Sequence, residues 1–163
     1  MVLVDLVPRN GSPAPRTMVP DLGTPVYEPV LTAITHSVEL AEPQFTAVFT
    51  EDKNGFYING KKFDMGSLPM LTVDIGSYQH WRVVNRTKEV HPFHIHQVHF
   101  LVHAVNGKPL QKTEWLDTVN VPVEGSVDLV MDFTDPIIRG TSLFHCHLLN
   151  HEDKGMMAKV IFR

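Results

Sequence analysis

VDLVMDF, residues 127–133, alternates in a way that suits an extended chain. Successive side chains of a strand point to opposite faces, so Val127, Leu129, Met131 and Phe133 share one side. Asp128 and Asp132 fall on the other, with Val130 between them. This predicts a strand with one buried face and one wet face. Outward from it, apolar runs at 36–40, 45–50, 56–58, 71–75, 80–84, 142–146 and 157–162 also read as strands, and Asn59-Gly60 reads as a turn. Residues 150–154 fit a single helical turn, with no strong helix and no internal repeat elsewhere. Many short strands between Gly- and Pro-rich turns predict an all-β sandwich or barrel.

The chain has 163 residues, enough for one domain with a core. Pro8, Pro13, Pro15, Pro20, Pro25 and Pro29, with Gly11 and Gly23, break regular structure near the start. Residues 1–30 therefore read as an irregular tail or interdomain linker, and 31–163 as the folded domain. A formal net charge of −4 argues against a general nucleic-acid binder. No apolar run approaches the roughly 20 residues that a membrane span needs, and no signal-peptide pattern opens the chain. A single cysteine forms no internal disulfide; it is buried, reactive, intermolecular or a ligand.

Two stretches carry the chemistry. HPFHIHQVHF, residues 91–100, holds four histidines, and HCHLLNHEDKGMM, residues 145–157, holds three more with Cys146 and two methionines. Cys146, His151 and Met156 follow the spacing C-x4-H-x4-M, which a strand end, a loop and the next strand start bring together. His91 supplies a second imidazole from a neighbouring strand. Two imidazoles, one thiolate and a weak axial thioether make a type 1 copper site. His94 and His96 are two apart and share one face of a strand; so do His145 and His147. Cys146 lies between the latter pair and faces the other way. One short segment thus touches two metal environments. Structural zinc also takes cysteine and histidine, but explains neither the methionine nor the separate histidine face. His99 reads as a strand or outer-shell residue, and His36, His80 and His103 as structural. Met157 is expected to point into the core, and Met65 and Met70 to lie isolated in a loop. Acidic residues show no catalytic pairing, and hydrolase triads, dinucleotide-binding glycine motifs and phosphate loops are not evident. Enzymatic function rests on copper.

At these residues the chain resembles the C-terminal cupredoxin domain of multicopper oxidases, the family of laccases, bilirubin oxidases and bacterial spore-coat or cuproxidase-type enzymes. HPFHIH matches the family element HPxHxH, and HCHLLNHEDKGMM matches HCHxxxHxxxxM. WRVVNRT, residues 81–87, and WLDTVNVPVEGSVDLVMDF, residues 115–133, resemble the flanking family segments. The resemblance implies a cupredoxin-like Greek-key fold. It implies type 1 copper on His91, Cys146, His151 and Met156, and type 2 copper on His94. It gives His96, His145 and His147 to the type 3 pair, and sets Asp117 near the type 1 region on the substrate side. The family often has glycine after the third histidine of HPxHxH, where this chain has Gln97.

The resemblance further implies oxidation of a reducing substrate at type 1 copper. Electrons would pass through Cys146 to His145 and His147, and dioxygen would be reduced to water. Family enzymes take the other half of the trinuclear ligands from an N-terminal cupredoxin domain, whose two HxH elements are not in this chain. The expected partners are that domain or chain, dioxygen and a small reducing substrate, and the chain by itself is expected to be inactive. The family's habit places it in the periplasm, at the cell surface or outside the cell. A stand-alone blue copper electron carrier and a non-catalytic copper-binding module are the alternatives; the first leaves four histidines unused.

Overall fold

A computed structural model describes residues 42–111 and 113–163. The expected tail, the domain start at 31 and the strand at 36–40 lie outside these residues. In chain order the strands are β1 (Phe45–Asp52), β2 (Gly55–Ile58), β3 (Leu71–Val73), β4 (Tyr78–Asn85), β5 (His91–Ile95) and β6 (Phe100–Val105). Then come β7 (Lys108–Pro109), β8 (Trp115–Leu116), β9 (Thr118–Val121), β10 (Ser126–Asp132), β11 (Gly140–Cys146) and β12 (Met157–Phe162). A 3-10 turn, Pro136–Ile138, precedes β11, and one short helix, α1 (Leu149–Asp153), separates β11 from β12.

The strands form two sheets. One runs β2-β1-β4-β10-β6-β7, with β8 also on β6; the other runs β3-β12-β11-β5-β9. Pairing is mixed: β1 with β4 and β12 with β3 are parallel, and the rest antiparallel. Among the described residues neither sheet closes on itself, so the fold is an all-β sandwich and not a barrel.

The core fills the space between the sheets. Phe49, Trp81, Leu129 and Met131 face it from one sheet, and Phe93, Phe144, Val160 and Phe162 from the other. Rings meet across the gap: Trp81 and Phe144 at 5.8 Å, Phe49 and Phe93 at 6.4 Å. Each such aromatic contributes about 3–5 kcal/mol when judged by truncation to alanine.

The expected alternation of β10 holds on its inner face. Its outer face departs from expectation, because Asp128 and Val130 are buried as well. Val130 packs with Leu101 and Trp115 in a second small cluster, while Asp128 accepts hydrogen bonds from Arg82 Nε at 2.7 Å and His80 Nε2 at 2.8 Å. Strand β6 was not among the expected strands: FLVHAV is a short apolar run without clean alternation, since four of its six residues, including three in a row, are buried. Asn59 and Gly60, with φ of 51° and 70°, form the expected turn, and the Asn59 side chain ties it to the Val48 amide.

Candidate metal centre

Two neighbouring strands build both clusters. Strand β5 pairs antiparallel with β11, setting His94 opposite His145 and Phe93 opposite Cys146. Alternation then does the sorting. His91, Phe93 and Cys146 face the core, and His94 and His145 face the other way.

On the core side, His91, Cys146 and His151 form a buried triad. His91 Nδ1 lies 3.4 Å from Cys146 Sγ, His151 Nδ1 lies 3.7 Å from it, and the two nitrogens are 3.1 Å apart. Helix α1 delivers His151. It is only one turn long, has no side-chain N-cap, and ends at Gly155, whose φ of 108° suits glycine alone. The Met156 amide donates to His151 O, and the Cys146 amide donates to Met156 O, so the backbone laces the set together. Met156 is fully buried. Phe56 stacks on the His151 ring at 3.9 Å, and Glu89 Oε2 sits 3.3 Å from its outer nitrogen, Nε2. Behind His91, Nε2 meets Thr87 Oγ1 at 2.6 Å.

On the other side, His94, His96 and His145 place one ring nitrogen each within 4.8 Å of one another. His96 itself lies just past the end of β5. Two of these rings are oriented by backbone carbonyls, which can only accept. His94 Nδ1 donates to Asp117 O at 2.9 Å, and His145 Nδ1 donates to Cys146 O at 3.0 Å. Both therefore keep a lone pair on Nε2, and His145 Nε2 faces His96 Nε2 at 3.1 Å. His147 completes a ring of four, its centroid 5.1 Å from His94 and 5.6 Å from His145. Glu152 Oε2 approaches His145 Nδ1 at 3.4 Å. An open cleft of about 450 Å³ runs alongside, lined by His94, His96, His99 and Asp117.

Electrostatics separate the two sites from ordinary histidine pairs. Burial, and then the facing His151, hold His91 down to about 4. Burial pushes the Cys146 thiol up to about 11. His96 and His145 are also lowered, each by burial first. Converging imidazole lone pairs and a desolvated thiol are an arrangement that a cation resolves: the imidazoles bind through their lone pairs, and the thiol gives up its proton to the metal's charge. Imidazole and thiolate bonds of about 2.0–2.3 Å around one ion set donors roughly 3.3–3.8 Å apart. The three separations of the buried triad, 3.1 to 3.7 Å, come close to that range. The residues thus fit a metal, and a His2Cys set with methionine is consistent with type 1 copper. The three-histidine set on the opposite face is incomplete.

Three expectations need correction. Asp117 lies beside His94 in the second cluster, not by the buried triad, because β9 pairs with β5 and sets its neighbour Thr118 opposite His94. Met157 does not enter the core: it is half-buried and lines a surface groove with Lys61, Lys62 and Met70. Of the two readings of His99 only the strand fails: it lies in the loop after His96, where it lines the cleft beside His94 and His96. His80 is structural as expected, paired with Asp128; His36 lies outside the described residues. Sequence reasoning missed Phe56, Thr87, Glu89 and Glu152. Only Glu152 had a local signal, since it directly follows His151.

The multicopper oxidase family pattern matches residues 23–163. A multicopper oxidase of Staphylococcus aureus is 32% identical over 111 residues, covering 63% of this chain and 24% of that protein. A laccase of Bacillus subtilis is 28% identical over 107 residues, covering 53% and 20%. The crystal structure of a multi-copper oxidase from Pediococcus acidilactici superposes with a TM-score of 0.68 at 31% identity, covering 77% of this chain and 27% of that one. The chain thus spans about a quarter of the length of such relatives. On its family pattern, its sandwich and its buried His-Cys-His triad, the chain belongs to the multicopper oxidase family.

Proposed function

We propose that this chain is the C-terminal Greek-key cupredoxin module of a laccase-like multicopper oxidase. His91, Cys146, His151 and Met156 hold type 1 copper. His94 serves type 2 copper, and His96, His145 and His147 serve the type 3 pair. The remaining ligands come from an N-terminal cupredoxin domain or chain docked on the four-histidine face, and without it this module does not turn over. Residues 1–30 act as an interdomain linker and 31–163 as the domain, working in the periplasm, at the cell surface or outside the cell.

One observation carries the reading. Cys146 closes the buried triad while its covalent neighbour His145 stands in the second cluster. A stand-alone electron carrier has no use for that second set.

Bound copper supplies one-electron redox chemistry: four oxidations of a reducing substrate balance the reduction of one dioxygen, with four protons, to two waters. The chain supplies everything around it. Cys146 provides the thiolate and the shortest covalent link between the sites. His151, with Nε2 turned toward exposed Glu89, presents the outer edge of the buried triad. Phe56 covers the ring face and excludes water. Glu152 sets an acceptor oxygen 3.4 Å from His145 Nδ1, beside the Cys146 carbonyl that orients the ring.

Copper reconstitution of the full chain, followed by visible absorption, paramagnetic resonance and metal count, tests this. One copper per chain with an intense blue thiolate band and no oxygen consumption is expected. Oxidase turnover by the chain alone would refute the need for a partner domain. Absence of a thiolate band would refute the type 1 assignment.

A further inference from the structure

We propose that Asn85 and Thr87 form a hydrogen-bond relay that fixes the tautomer of His91, so that its metal-binding lone pair is aimed before any metal arrives. The inference starts from the amide. Asn85 Nδ2 faces three carbonyl oxygens: Glu89 O at 2.7 Å, Pro122 O at 3.0 Å and Val121 O at 3.3 Å. Carbonyls only accept, so this end of the amide is the NH2 and the other is oxygen. Asn85 Oδ1 then accepts from the Thr87 amide at 2.9 Å and from the Thr87 hydroxyl at 2.8 Å.

That spends the hydroxyl's single proton. The other acceptor in reach, Glu89 O at 3.2 Å, is also a carbonyl, so the proton goes to an amide oxygen either way. Toward His91 Nε2, at 2.6 Å, Thr87 Oγ1 can therefore only accept. Nε2 must carry the ring proton. Nδ1 is left with a lone pair, directed at Cys146 Sγ and His151 Nδ1. The opposite tautomer would set two lone pairs against each other at 2.8 Å between Thr87 and Asn85. Asn85, Thr87 and His91 are at most 2% exposed, so bulk water offers no alternative partner.

The same short loop holds the second imidazole. Glu89 anchors the relay through its backbone carbonyl, and its side chain faces His151 Nε2 at 3.3 Å. Both outer nitrogens of the triad are thus addressed by residues 85–89, and both Nδ1 atoms point inward. In the second cluster His94 Nδ1 meets both the Asp117 carbonyl and the Thr118 hydroxyl at 2.9 Å, and His145 Nδ1 donates to the Cys146 carbonyl. The outer nitrogen of His91 meets a side chain alone, which makes its orientation a property of sequence. Thr87 is a positioning residue: it touches the ligand, not the metal.

The copper readouts rest on the type 1 reading, but the central claim does not. Nitrogen-15 imidazole NMR of the copper-free full chain, with His91 assigned through a His91→Asn variant, reads the tautomer directly. The expected result is Nε2–H with slow proton exchange in the wild type and Thr87→Ser. Thr87→Val, nearly the same shape without the hydroxyl, should give mixed tautomers or fast exchange. An Nδ1–H tautomer in the wild type overturns the proposal, whatever the variants do. On copper loading, Thr87→Val should bind about 10–100-fold more weakly, with altered copper hyperfine splitting, and Thr87→Ser should restore both. Equal affinity and identical spectra in Thr87→Val also overturn it. A wild type without a blue band sinks the type 1 assignment instead, and the copper-free spectrum still decides the relay.

Discussion

Cys146 sits where a thiol is worst placed to ionise: it is fully buried, and burial lifts it to about 11. At neutral pH it stays protonated until a metal takes the proton's place, so copper loading releases a proton. Cys146→Ser should keep the fold, because a hydroxyl can still donate to His91 Nδ1. It should abolish the blue thiolate band altogether. Circular dichroism with visible titration checks both, and a surviving band would mean the thiolate is not its source. Gln97 is the other telling residue. Its φ of 68° is left-handed, a conformation that costs a side-chain-bearing residue about 1–2 kcal/mol. The glycine that the family resemblance leads one to expect here would adopt that backbone conformation without steric cost. Gln97→Gly should raise stability by about 0.5–1 kcal/mol, since relief of strain outweighs the extra freedom of the unfolded chain. A lower unfolding midpoint in urea would contradict it. The residues of both clusters were legible in the sequence because each half of a cluster is locally spaced, two apart on a strand or five apart across one turn, even though the halves lie 49 to 60 positions from each other. Phe56 was not. It stacks on a histidine 95 positions later, and nothing in GFYI marks that ring as different from a core phenylalanine.

Strands show the same division. Strand β12 was legible to the residue because MAKVIF buries every second position. Strand β10 was legible on one face only. Alternation reveals which residues are polar, not whether another strand will bring a partner to them. Asp128 looked like a wet-face residue, yet Arg82 and His80, both on β4, converge on its Oδ1 in a nearly closed environment. Removing that carboxylate leaves a guanidinium and an imidazole without their shared acceptor. Asp128→Ala is therefore expected to cost about 2–4 kcal/mol, at the lower end if the half-exposed Arg82 turns to solvent. Asp128→Asn, which keeps one acceptor oxygen, should recover part of it. Urea unfolding of both variants measures the difference, and a loss below 0.5 kcal/mol for the alanine, by that same order-of-magnitude scale, would show the cluster to be incidental.

At the scale of the whole molecule, the two clusters make the metal-free sandwich a pH-sensitive object, and the sign follows from which state binds more protons. Near pH 6.5 and below, histidines of the unfolded chain are protonated, while folded His91 resists until about 4, and His96 and His145 are lowered too. The unfolded chain thus binds more protons across that window. Stability must fall as pH drops from about 7 toward 4. At the alkaline end, the unfolded thiol ionises near its ordinary value of 9, while folded Cys146 holds its proton to about 11. There the folded state binds more protons, and stability falls as pH rises from 9 to 11. The metal-free chain should be most stable between these limbs. Copper changes the picture by binding the deprotonated ligands of the folded state alone; at a thousandfold excess over its dissociation constant it adds about 4 kcal/mol. Thermal melts from pH 4 to 11, with and without copper, should show a dome for the metal-free chain and a raised, flatter alkaline limb for the loaded one. A metal-free melting temperature that stays level between pH 7 and 5 would mean the buried histidines are not held neutral. An alkaline limb unmoved by copper would mean that the thiol is not the group copper captures.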